Sequence, residues 1–419
     1  MRSQTKTKYS LIATLYVSQA IPLGFFITAM PVILRDSGLS LESIGLFSAI
    51  AAPYLLKFLW APAVDRYGSR KRHYLSWILP LQIVALSTVL AMSSLELSTQ
   101  MTAILVLAAI FMFVAATQDI ATDGLAVRAL AEHERGPGNA LQVGGYYLGQ
   151  VLGGGMMLVL FSRFGWTTAL WAMAALLALP LLPASRFREP TLQETAPRRF
   201  DFAALGRFFR RPGAWSWTAI LLLFRSGETM ATFSFNQMLV DLGLGLADIG
   251  LLSGVLYALG ALSGSLLGGL LLPSLGRRVG LTAFALIQAL AVLSYLIPAS
   301  GFIGLPVVGG AVFTVAFAGG LATTALYTSM MDASRSETAG TDFTLQQSLC
   351  AVGPVIGTGL SGFSAAAFGF SGHFVLCAGV SLLALALVIR SSLPSEQPAV
   401  GLPVSPAATP PAATPPATS

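Results

Sequence analysis

The stretch DSGLSLESIGLFS at residues 36–48 returns at residues 241–253 as DLGLGLADIGLLS. Asp36, Gly38, Leu39, Leu41, Ile44, Gly45, Leu46 and Ser48 match Asp241, Gly243, Leu244, Leu246, Ile249, Gly250, Leu251 and Ser253, 205 positions on. Each copy lies where one long apolar segment ends and the next begins. Downstream, Gly68 and Arg70 match Gly276 and Arg278 at an offset of 208. Gly136, Leu141, Gln142, Gly149, Gly153 and Gly155 match Gly340, Leu345, Gln346, Gly353, Gly357 and Gly359 at an offset of 204. A half-length repeat running through apolar segments is the mark of a two-halved transporter.

Composition points the same way. Hydrophobic residues make up 55% of the 419 and charged residues 10%, where a soluble domain carries about a quarter charged. Many of the 42 glycines and 23 prolines fall inside apolar runs, which membrane spans tolerate better than soluble helices do. Cys350 and Cys377 show no spacing for a metal or a disulfide framework. No metal or other cofactor is expected.

A span needs about 20 apolar residues. That rule places twelve, at 9–34, 43–64, 74–94, 102–127, 139–161, 166–185, 215–239, 248–272, 279–298, 304–331, 342–364 and 371–390. With the N-terminus in the cytoplasm, all of the 24 Lys and Arg residues except Arg35, Arg163, Lys57 and Arg225 fall on that side. The net charge of +6 therefore reports topology through the positive-inside bias, and no nucleic-acid partner is expected. Arg2, Lys6 and Lys8 before Ser18-Gln19-Ala20 have the form of a signal-peptidase site. Cleavage there would cut the first span and break the repeat, so an intact N-terminus is expected.

The fold class is thus an all-α membrane protein of twelve spans in two parallel six-helix repeats. The halves are 1–185 and 215–391, joined by an arginine-rich cytoplasmic linker at 186–214. Residues 392–419, ending PVSPAATPPAATPPATS, are too poor in large apolar side chains to bury a core and read as a disordered tail. The glycine-rich run 144–155 follows no strand, which argues against a phosphate loop. Gly149 with Gly153, and Gly353 with Gly357, read instead as small-residue seams that let two helices approach.

After the second span comes Ala61-Pro-Ala-Val-Asp65-Arg66-Tyr67-Gly68-Ser69-Arg70-Lys71-Arg72. This resembles the signature loop of the major facilitator superfamily, with Ala61 in place of its first glycine and Ser69 in place of an arginine. The second half holds a degraded copy from Gly269 to Arg278, with Pro273 where the acid would be. The resemblance implies a cytoplasmic gate in which Asp65, Arg66 and Arg70 take part and Arg128 partners Asp65. Physically, a carboxylate suits a helix N-terminus and arginines suit charge-assisted bonds.

Charges inside spans mark functional positions, because each costs at least about 2.5–3.5 kcal/mol at mid-bilayer. Lys57 lies in the second span, Gln118, Asp119 and Asp123 in the fourth, and Arg225, Glu228, Asn236 and Gln237 in the seventh. Asp119 and Asp123 share a helix face, as do Arg225 and Glu228. Two like charges on one face favour a held proton, whereas Lys57 or Arg225 beside a carboxylate favours ion pairs; the sequence leaves both open. Tyr146, Tyr147, Phe233 and Phe235 are candidate cavity aromatics. His73, His133 and His373 fall in or near loops and are expected to be solvated.

PYLLKFLWAPAVDRY (53–67), ATQDIATDGLAVRAL (116–130) and LFRSGETMA (223–231) resemble the branch that holds the AmpG muropeptide permease and the acetyl-CoA transporters. Residues 116–130 with RGPGNALQVGGYYLG (135–149) are most similar to the RhtX/FptX siderophore permeases. The resemblance implies proton-coupled import of an intact ferri-siderophore across a bacterial inner membrane by a monomer with both termini cytoplasmic. Uptake of a muropeptide or another amphipathic solute is the nearest rival; drug–proton antiport and a non-transporting sensor rank lower. No nucleophile–base constellation points to an enzyme. The repeat copies turns and glycine seams but not the membrane charges: Lys57, Asp119, Asp123, Arg225 and Glu228 all align with uncharged residues.

Overall fold

The computed structural model describes residues 2–36, 48–97, 99–190 and 203–391. The first copy of the repeated turn (37–47), residues 191–202 of the linker and the 392–419 tail lie outside the described residues. Among the described residues all regular structure is helical.

Among the described residues, eight helices are long and apolar enough to cross a membrane. Lys6–Leu34 is the first, Leu75–Ser93 the third and Met101–Ala129 the fourth. Glu132–Arg186 is a single 55-residue run broken at Gly165, whose φ of +81° only glycine adopts freely. It supplies the fifth and sixth helices. Asp248–Leu275, Arg277–Ala299 and Leu305–Ala333 are the eighth, ninth and tenth. Ser336–Arg390 repeats the 55-residue pattern, with its break at Gly369 (φ +66°), giving the eleventh and twelfth.

The second and seventh helices complete the twelve, and both are interrupted. The second runs Ala52–Leu56, a tight 3₁₀ turn Lys57–Leu59, then Ala61–Arg66. The seventh runs Ala214–Leu223, pauses at Phe224 and Arg225, and resumes as Ser226–Asp241. The interruptions fall at Lys57 and Arg225, the two cations within spans.

The glycine seams lie where helices touch. A Cβ on Gly153 would overlap the Ile21 carbonyl of the first helix, and one on Gly353 would overlap the Leu222 carbonyl of the seventh. On Gly357 it would sit 2.6 Å from Met230 Cγ. Each half thus packs its fifth repeat helix on its first through the same device.

Buried apolar clusters show how the halves meet. One cluster is confined to the first half, around Phe25, Phe26, Phe111 and Met173. Another is confined to the second half, around Phe235, Tyr295 and Phe374. A third is shared: Ile12, Tyr16, Ala126 and Leu130 from the first half pack with Phe224, Leu326 and Phe343 from the second. It lies toward the end of the bundle that carries the N-terminus and the basic loops, so the halves are joined at that basic end. The linker contributes a short helix, Ala203–Phe209, whose Phe208 enters the shared cluster.

Candidate functional site

Between the halves lies a cavity of about 550 Å³, within the range that holds drug-sized ligands. Helices one, two, four and five line it on one side, and seven, eight, ten and eleven on the other. The second and seventh helices bring their interrupted segments to its wall, as discontinuous transporter helices do around a midplane site.

Two charge clusters face it. In the first half, Lys57 Nζ pairs with Asp119 Oδ2 and also donates to Gln347 Oε1 of the eleventh helix at 2.7 Å. One lysine therefore ties a carboxylate of its own half to an amide of the other. In the second half, Arg225 Nη2 stands 4.0 Å from Glu228 Oε2, and Tyr257 donates to Glu228 Oε1 at 2.5 Å. Arg225 lines the cavity with its side chain 28% accessible. Its guanidinium can therefore meet an anionic or carbonyl group of a solute.

Aromatic walls connect the clusters. The rings of Tyr146 and Tyr147 are 5.4 Å apart, and Tyr147 reaches Tyr257 at 6.0 Å across the interface of the halves. Tyr54 lies 5.9 Å from Lys57 Nζ.

Several expected site residues lie elsewhere. Gln118 turns away from the cavity and donates to Gln82 Oε1 at 2.5 Å inside the first-half bundle. Phe235 is buried and stacks on Tyr295 with centroids 3.8 Å apart, which makes it core. Phe233 and Gln237 face outward. Asn236 accepts from Ser253 Oγ at 2.6 Å, and only Ser253 touches the cavity. Asp123 is fully buried below Asp119 and bonded to Tyr16 and Gln142. Two of the three histidines expected in solvent are buried. His73 bonds Val64 O at 3.1 Å, and His373 bonds Ser364 Oγ at 2.7 Å.

At the basic end Asp65 and Arg128 are not bonded to each other. Asp65 accepts from the backbone N–H groups of Gly340 (3.1 Å) and Thr341 (2.7 Å) and from Tyr74 OH (2.5 Å). The carboxylate does cap a helix N-terminus, as its chemistry favours, but the helix is the eleventh, 275 residues away. Arg128 lies over the Tyr74 ring at 4.4 Å and donates from Nε to Ser336 O at 2.7 Å. Arg66 covers Tyr67, and Arg70 is exposed. A mirror arrangement joins the other edge. Arg135 at the start of the fifth helix and Arg277 of the ninth both hold Asp332 at the end of the tenth, at 2.5 and 2.6 Å. Lys8 adds a bond to Glu134. Burial works against the charge on Glu134, but Lys8 and the Ala131 amide outweigh it and hold the carboxyl below its usual range.

Sequence reasoning missed Tyr257 and Gln347. Neither is charged, and an aromatic or an amide in a span reads first as packing.

A family model described as Major Facilitator Superfamily matches residues 12–357. The chain belongs to the Major Facilitator Superfamily. Over 404 residues this transporter is 30% identical to the anhydromuropeptide permease of Escherichia coli K12, covering 94% of this chain and 82% of that protein. It is 24% identical to the putative transporter AmpG 4 of Rickettsia felis over 293 residues, covering 67% of this chain and 71% of the relative. Among solved structures it is similar to the E. coli fucose:proton symporter, with TM-score 0.70, 16% identity, and coverage of 91% of this chain and 98% of that one. At that identity the likeness concerns the fold. The protein is therefore a multi-pass membrane transporter.

Proposed function

We propose that this transporter imports an anhydromuropeptide-type solute, a sugar bearing an acidic peptide, across a bacterial inner membrane by proton-coupled alternating access. The observation that carries this reading is similarity to the E. coli anhydromuropeptide permease along almost the whole chain. The cavity chemistry supports it. Arg225 and Lys57 supply positive charge for peptide carboxylates, and Tyr146, Tyr147 and Tyr257 supply ring faces for a sugar. Asp119 and Glu228, each paired with a cation, are the proton carriers in this reading.

Ferri-siderophore import is the second reading. It is favoured by the wording of residues 116–130 and 135–149, a small part of the chain beside the 404 residues aligned with the muropeptide permease. In energised vesicles, labelled anhydromuropeptide is expected to accumulate and to be displaced by unlabelled solute. Accumulation of a ferri-siderophore but not of muropeptide would reverse the order of the two readings.

In the same proposal the basic end faces the cytoplasm, and its closed contacts make this an outward-open state. Asp65 then acts as a latch on the eleventh helix. Hydrogen bonds to a charged group are worth roughly 1.5–3 kcal/mol each. Asp65→Asn keeps one good acceptor oxygen but loses the charge, so net uptake is expected to fall about tenfold with solute affinity little changed. Equilibrium binding on the purified variant, read beside uptake, checks the split. An unchanged uptake rate would remove the latch.

A further inference from the structure

We propose that Asp123 carries a proton in this conformation and donates its Oδ2–H to Gln142 Oε1, joining the fourth and fifth helices by a two-bond acid–amide ring. The two hydrogen bonds that hold Asp123, from Tyr16 OH at 2.8 Å and Gln142 Nε2 at 3.1 Å, go to the same oxygen, Oδ1. Oδ2 is buried with no hydrogen-bond partner, and so is Gln142 Oε1. An ionised carboxylate offers acceptor sites on both oxygens and draws donors to both. A carboxylic acid instead has one carbonyl oxygen that accepts and one hydroxyl that donates. The two orphan atoms belong to the two planar groups already joined by the Nε2–Oδ1 bond. One proton on Oδ2 satisfies both.

The charges around Asp123 agree. Asp119 lies one turn away on its own helix; Lys57 and Tyr54 face it from the second helix, Tyr16 from the first and Tyr327 from the tenth. The only cation among them, Lys57, is committed to Asp119 and Gln347. Gln347 of the eleventh helix gives its oxygen to Lys57 and turns its neutral amide N–H group toward Asp123, which supplies a donor but no counter-charge. An ionised Asp123 would be a buried charge without a counter-charge, which costs several kcal/mol.

The repeat supplies an internal comparison. Gln142 matches Gln346 at the offset of 204. Gln346 Oε1 accepts from Trp217 Nε1 at 2.7 Å. The same amide oxygen thus has a donor in the second half, where the stretch that matches Asp123, within 323–331, holds no charge. In the first half the missing donor is the proton of Asp123. Gln142 is then a positioning residue: when the fifth helix parts from the fourth, the acid loses its acceptor. That consequence rests on the proton-coupled reading above; the protonated ground state does not.

Infrared spectroscopy of the purified full-length protein at neutral pH, without solute, tests the ground state. A carboxylic-acid carbonyl band is expected in wild type, absent in Asp123→Asn, retained in Asp119→Asn and shifted in Gln142→Leu. A wild type without the band, or a band that survives Asp123→Asn, overturns the proposal. So does a melting temperature raised by sodium over choline chloride in wild type but not in Asp123→Asn, because a cation would then fill the site. If Asp123→Asn does not fold, Tyr16→Phe serves in its place: a shifted band supports the assignment and an unmoved one overturns it. No solute is involved, so failure of the muropeptide reading leaves the result intact.

Discussion

Gly353→Val is expected to leave no folded transporter in the membrane, while Gly155→Val accumulates like wild type. A Cβ at position 353 overlaps the Leu222 carbonyl, which also accepts from Ser226 Oγ at 2.6 Å. Overpacking a close-packed interior typically costs about 1–3 kcal/mol and occasionally more. Here the obstacle is backbone, two residues before the interruption of the seventh helix, so repacking a side chain gives no relief. Gly155 sits in the matching glycine run, yet a Cβ there meets nothing within 4 Å. Yield of monodisperse protein and its thermal midpoint are the measurements. A Gly353→Val protein that melts with wild type would mean the seventh and eleventh helices do not touch at this point.

The second large effect is expected from Lys57→Gln, which should lower uptake at least about a hundredfold. The side chains of Lys57 and Asp119 are 6% and 15% accessible, so screening by water offsets little of their attraction. Removing one partner of a buried pair strands the other at a cost of roughly 3–5 kcal/mol. The double variant Lys57→Gln with Asp119→Asn leaves no stranded charge. It is expected to regain folded yield and thermal stability while uptake stays low. A double-mutant cycle on the melting temperature isolates the coupling; strictly additive shifts would show that the two groups do not act as a pair.

The spans, the halving and the seams could be read from residues because each rests on local pattern: apolar length, the repeated turn, glycines four apart. The contact that closes the basic end could not. Asp65 meets backbone N–H groups of Gly340 and Thr341, and backbone donors leave no trace in residue type, whereas Arg128 looked the natural partner by charge. Lys57, Asp119 and Arg225 could be found because charge in a membrane is conspicuous. Gln118, Phe233 and Phe235 were misplaced because helix rotation decides which face meets the cavity, and a uniformly apolar span carries almost no signal of rotation. The same silence hid Tyr257 and Gln347.

The interruptions in the second and seventh helices also bear on how the chain enters the bilayer. Both fall at a cation, Lys57 and Arg225, whose charge costs at least about 2.5–3.5 kcal/mol at mid-bilayer. The seventh carries its own remedy, since Arg225 and Glu228 lie three residues apart and neutralise each other as they cross. The second does not. Its lysine finds Asp119 only 62 residues later, after the third and fourth helices have been synthesised. Insertion of the first half is therefore expected to be cooperative, because the second helix gains its counter-charge only when the fourth arrives.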